Sequence, residues 1–323
     1  MTTTVILYQP NIISNGANNG GRLSDNVVDL RKDGVGNFSA IDKSEQVLGS
    51  SKFRKLFMKV VDPLSPRAIR AVCFLDKTNL SDSTRSYLIA GTQRDTQSDL
   101  AGRRRYSTGK LHTAVAVGDT VLVVDFAVDS GADAVVQAGD KIVVIDGTVT
   151  DYSLTAQNVS WAGDRATITL TDGVTSALST AAFVGSCLVD TVNINTHVDN
   201  VTKSFSTSTY DDVAYPIRLN NLGTTEQTVT FTITGPTTFS VLSDIFGALP
   251  NGSTLTDYAP INPIFGTPYL ELFAAGWGGT HTVGEMMQFQ THPSALPVWL
   301  GLESFAGISD ELTAVYPSLR LEI

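Results

Sequence analysis

From Thr228 to Thr234 the chain reads TVTFTIT, four threonines alternating with Val229, Phe231 and Ile233. A period of two is the pattern of a strand with one buried face. Comparable β-branched runs recur throughout, and no segment sustains an apolar period of 3.6 residues beyond about three turns. With 27 glycines and 12 prolines as punctuation, this directs the chain towards short strands joined by turns. The fair helix candidate is IDKSEQVL (41–48), with Asp42 or Ser44 as N-cap and Gly49 as terminator.

Three regions follow from the pattern, and together they predict a mainly β, multi-domain architecture of sandwiches and a small barrel with an extended N-terminal arm. Residues 1–110 form a β-rich scaffold. It opens on VILYQPNIIS, where Pro10 argues for an edge strand or arm, followed by the turn-forming SNGANNGGR (14–22). FRKLFMKVV (53–61) places Phe53, Lys55, Phe57 and Lys59 on one face and a largely aliphatic set on the other, which predicts a strand buried on one side. AIRAVCFLD (68–76) and SYLIAGT (86–92) read as further strands. Residues 111–190 contain three related phrases, at 117–126, 138–147 and 162–173, each opening Gly-Asp and closing on Asp. Their unequal spacing suits a small barrel or sandwich, possible as an insertion, better than a solenoid. Residues 191–323 contain IRLNN and TVTFTIT as strands and several late prolines, and predict an immunoglobulin-like sandwich.

Of the 323 residues 42% are hydrophobic and 17% charged, ample for packed cores. A formal charge of −10 argues against nucleic-acid binding, because a phosphate backbone would meet an unfavourable field. No run approaches the ~20 apolar residues of a membrane span. The start, MTTTVILYQPN, lacks a basic n-region, and the chain is expected to be soluble and unprocessed, with no membrane partner. Cys73 and Cys187 are expected as buried apolar residues of a reducing cytosol.

Reactive constellations are sparse. His112, His197, His281 and His292 fall in no metal-ligand spacing, although His281 and His292 could meet across a strand; lone histidines are more often surface or core residues. Asp119, Asp140 and Asp164 follow glycine at strand starts, where turn formation outweighs calcium binding because no acidic loop supplies converging oxygens. GVG at 34–36 leads into no phosphate-binding helix. The reading is of a protein that is not an enzyme, with no catalytic residue, metal or cofactor assigned. The sharpest charge feature is Arg103, Arg104 and Arg105, with Arg94 before and Lys110 after. A solvated loop is the ordinary reading. The functional one is a contact with an acidic neighbour, a second copy of the chain included.

Several motifs carry a resemblance. Asn19, Gly20, Gly21 and Arg22 make an NGGR start. Gly49, Ser51, Lys52, Phe53, Arg54, Lys55 and Phe57 fit G-S-x-K-[YF]-R-K-x-F. Gly266 to Tyr269, Trp277 to Thr280, Gly284, Phe289, Thr291, His292, Pro293, Pro297 and Trp299 fit GTPYF…WGGTxxxGDxxxFxTHPAAxPxW. Together with LNNLGTTEQT these resemble a family of tailed-bacteriophage virion proteins of Mu-like and related genomes. The chain departs at Glu285 and Met286, and after Trp299, where LGLESFAG replaces a basic VPAG-like ending. The resemblance implies a virion component without fixing its position; the expected function is a structural component of the virion (tail, neck or baseplate), assembled in the bacterial host cytoplasm. Its partners would be copies of itself in a symmetric ring or tube and other virion proteins, with no specific nucleic acid. Alternatives are a capsid decoration protein or a receptor- or carbohydrate-binding virion module, in which Trp277 and Tyr269 would stack on sugars. Expected assembly contacts are the arm, residues 5–24, with Tyr8, Asn19, Gly20, Gly21 and Arg22; Arg103, Arg104 and Arg105; and Trp277 and Trp299 as aromatic anchors, against the ordinary reading of both tryptophans as core.

Overall fold

A computed structural model describes residues 4–28, 43–61, 72–76, 84–189, 195–306 and 319–322. Over these residues the protein is nearly all β, with several sheets and a small barrel. The helix, Lys43–Leu48, is followed by Gly49 at φ +79°, the left-handed conformation that ends helices. Its expected start at Ile41 and Asp42, the GVG at 34–36 and residues 68–71 of the expected strand lie outside the described residues.

The chain divides into two compact units: Met1–Ile6, Met58–Ala68 and Asn193–Leu296 in one, Leu7–Phe57, Ile69–Val192 and Pro297–Ile323 in the other.

The larger unit contains the closed barrel, ordered Val149–Ala162, Arg165–Leu170, Val121–Asp125, Thr108–Leu111, Phe183–Ser186 and Lys141–Asp146. Alternation fills it: Leu122, Val124, Ala166, Ile168, Leu170, Ile142 and Val144 point into one core. Each Gly-Asp phrase opens a barrel strand. Asp119 accepts the Ala116 N–H and Asp140 the Gln137 N–H, both at 2.7 Å, so these carboxylates close their own turns. Asp164 instead accepts from Gly131, at 3.2 Å.

A six-stranded sheet is ordered Gly20–Val27, Thr4–Ile12, Ser50–Val61, Ala295–Ser304, Thr84–Ala90 and Arg105–Tyr106. Two expectations are corrected here. The N-terminal segment is a hairpin within this sheet and not an extended arm; Thr4–Ile12 has neighbours on both sides, with Pro10 opposite Leu23. The missing proline donor is absorbed because the register slips on either side of Pro10. The second correction concerns FRKLFMKVV, which is buried on both faces, lysines included.

The smaller unit is built on an antiparallel sheet ordered His197–Ser204, Met286–His292, Gln227–Gly235, Thr238–Ser243 and Gly247–Ser253. TVTFTIT behaves as its alternation predicts: Val229, Phe231 and Ile233 enter a core with Phe239, Tyr258, Met287 and Phe289, while the threonines face outward. IRLNN forms no strand, only a bridge from Arg218 to Glu271. Asn220 explains this, since its Oδ1 accepts the Leu222 and Gly223 N–H groups and so folds the backbone into a turn. Lys59 is buried here too, its Nζ 3.1 Å from the Leu222 carbonyl and 4.7 Å from the Phe265 ring centroid.

Candidate functional site

Of the motifs that carry the resemblance, Asn19 to Arg22, Gly49 to Phe57 and Trp299 belong to the larger unit, and Gly266 to Pro293 to the smaller one. Lys55, 1% exposed, projects from the strand Ser50–Val61 to place Nζ 2.6 Å from Asp95 Oδ1 and 2.6 Å from the Gly21 carbonyl. The other Asp95 oxygen accepts from Arg103 Nη1 at 2.6 Å and from Trp299 Nε1 at 3.2 Å. Burial of such charges is tolerated only when they are paired and hydrogen-bonded, and here one carboxylate serves two cations and an indole. Asn19, fully buried, donates its amide to the Phe53 carbonyl at 2.9 Å and to Gln97 Oε1 at 3.2 Å. Arg54 ties the turn down by donating to the Ser14 carbonyl and to Asn15 Oδ1, and burial lowers its guanidinium pKa.

A second cluster joins it through the arginine run. Glu303 Oε2 accepts from Arg85 Nε at 2.6 Å, and Oε1 from the Tyr87 hydroxyl at 2.7 Å, with Arg105 Nη2 3.0 Å away. Arg85 and Arg105 share Asp133, at 2.5 and 2.6 Å. Burial, reinforced by the Glu303 charge, raises the Tyr87 phenol pKa far above its ordinary value. Arg104 pairs with Asp140, the same carboxylate that closes a barrel turn, and its guanidinium lies 4.6 Å from the Tyr106 ring centroid. All three arginines of the run also line a cleft of ≈ 730 Å³, with Phe53, Ile89, Leu100, Gln97 and Gln137 among its other walls. The expected solvated loop is therefore corrected: the arginine run is half-buried and paired within the chain.

The remaining selected residues are placed as follows. Trp299 is fully buried with Tyr87, Ile89 and Leu100, which is its core role. Gly20 and Gly21 are buried at φ +108° and +78°. Tyr8 is buried, which raises its phenol pKa, and Arg22 is partly exposed. Trp277 belongs to the core of the smaller unit, stacked on Phe239 at 5.6 Å between ring centroids and edge-on to Tyr210.

His281 and His292 have different partners. His292 Nδ1 lies 2.6 Å from Glu226, and its ring stacks on His197 at 4.5 Å between centroids. His281 Nδ1 lies 3.0 Å from Ser208 Oγ, which donates to Glu285. Because the single serine proton goes to the carboxylate, His281 must donate to Ser208. The order of a nucleophilic triad, in which histidine takes the serine proton, is thus reversed. Glu285 also accepts N–H groups from Ser206 at 2.5 Å and Thr207 at 2.7 Å; the serine hydroxyls and these amides hold its pKa well below the ordinary carboxylate value. Among the described residues, no group of three or more His, Cys, Asp or Glu side chains is placed to hold a metal ion.

Sequence reasoning missed the carboxylates Asp95, Asp133, Asp140 and Glu303 as partners of the arginine run. One signal was present: Lys55 and Lys59 sit on the aromatic face of a strand, where an unpaired lysine would be costly.

The fold defines a multi-domain β protein with a barrel, and no particular family follows from it. Comparisons with protein-family models, curated proteins and solved structures give no match.

Proposed function

We propose that this protein is a structural component of a tailed-bacteriophage virion, in the tail, neck or baseplate, acting by association with copies of itself and with neighbouring virion proteins. The observation that carries the reading is where the motif residues lie. Asn19, Gly20, Lys55 and Trp299, drawn from both ends of the chain, are engaged in one buried framework around Asp95. Residues used in this way hold a shape, and a shape is what a subunit of a permanent assembly contributes. The Ser208, His281 and Glu285 arrangement, with its reversed proton order, supports the same non-enzymatic reading.

The test is electron microscopy of phage particles carrying an epitope tag on this chain. Label at the tail, neck or baseplate supports the proposal, label spread over the head favours a decoration protein, and unlabelled intact particles that lack the chain overturn both.

A further inference from the structure

The arginine cleft retains binding capacity that its internal pairs do not use. Among the described residues Arg103 bonds only through Nη1, to Asp95 and the Ala90 carbonyl, leaving Nε and Nη2 uncommitted. Arg104 spends only Nη2, on Asp140; its Nε is buried without an acceptor. Among the described residues, Lys55, Arg85, Arg103, Arg104 and Arg105 pair with Asp95, Asp133, Asp140 and Glu303. These cations gather in a chain of net charge −10. The internal pairs also hold the guanidinium groups in place, so a ligand would order few side chains on arrival.

We infer that this cleft receives a carboxylate side chain of a second copy of the chain. The inference rests on the self-association of the proposed function and names where it occurs. Guanidinium groups match a carboxylate in planar geometry, and Gln97 and Gln137 add carboxamides at the walls. An acidic surface meeting a place where cations gather is the charge complementarity that lets such a chain overcome its self-repulsion.

Gln137 provides the probe. It is exposed at the cleft wall, and its side chain takes part in none of the pairs described. Sedimentation equilibrium of the full chain is compared for wild type, Gln137→Glu and Gln137→Lys at low and high salt. Near 0.05 M salt the expected result is association weakened by roughly two- to fivefold in Gln137→Glu and strengthened similarly in Gln137→Lys. Both differences should collapse at 1 M salt, where screening acts within about 3 Å. Wild type that associates while both variants match it overturns the cleft and leaves self-association standing. Wild type that stays monomeric throughout overturns both. A parallel titration uses polygalacturonate: binding weakened by Gln137→Glu, with self-association unchanged, overturns the second copy in favour of an acidic saccharide.

Discussion

The indole of Trp299 occupies the space that a side chain on Gly20 would need: a Cβ built there falls 2.5 Å from Cη2 of the ring and 2.9 Å from the Asp95 carbonyl. Glycine is required on two counts, since φ is also +108°. Gly20→Ala should therefore destabilise by about 1–3 kcal/mol through overpacking, with about 1–2 kcal/mol more from the backbone conformation. Trp299→Ala should cost about 3–5 kcal/mol by emptying the same space. Urea unfolding of the two variants checks this, and the double variant should cost less than the sum, because the cavity left by one relieves the crowding of the other. Strict additivity would mean that the two positions do not touch.

Asp95 carries more of this framework than Arg103 does. Replacing it by asparagine keeps the shape but leaves Lys55, Arg103 and the Trp299 N–H facing a neutral group. A loss of about 3–5 kcal/mol is expected, the cost of stranding a buried charge. Arg103→Gln should cost under about 1 kcal/mol, because that side chain is partly exposed and Lys55 still balances the carboxylate. Equal losses from the two substitutions would contradict the assignment of Asp95 as the shared partner.

The two cysteines should be inert in the native protein. Both are buried; burial pushes the Cys187 thiol up to about 12 and raises Cys73 well above its usual value. At pH 8 the thiolate of Cys187 would be roughly one part in ten thousand. Ellman's reagent should titrate neither thiol until denaturant is added, and a rapid native reaction with either would show that this core opens locally.

What the sequence made legible was local. TVTFTIT declared its strand because each apolar residue had one core to face. Gly49 ended a helix where its lack of a Cβ permits φ +79°. Two of the three Gly-Asp phrases, at Asp119 and Asp140, opened strands because the carboxylate closes the turn before it. What stayed illegible depended on partners far along the chain. Lys55 looks like a half-exposed strand residue until Asp95, forty positions on, supplies its counter-charge. The arginine run looks solvated until Asp133, Asp140 and Glu303 are brought to it. Pro10 suggested an edge because the register slips that accommodate it leave no trace in composition.

Glu285 links the smaller unit to pH. Its carboxylate gathers the Ser206 and Ser208 hydroxyls and the Ser206 and Thr207 amides, all of which favour the ionised form and hold the folded pKa below the ordinary 4.5. A depressed carboxylate contributes stability that is complete above its unfolded pKa and is lost as pH falls towards the folded one. Glu285→Gln keeps the length of the side chain and removes the charge, so its thermal midpoint should lie below that of wild type at pH 7. The gap should hold steady down to about pH 5 and then narrow as wild type loses its advantage in acid. Thermal scans at half-unit intervals from pH 7 to pH 2 measure this directly. A gap that stays constant across the range would show that the glutamate acts there through its shape alone and that the surrounding donors do not sense its charge.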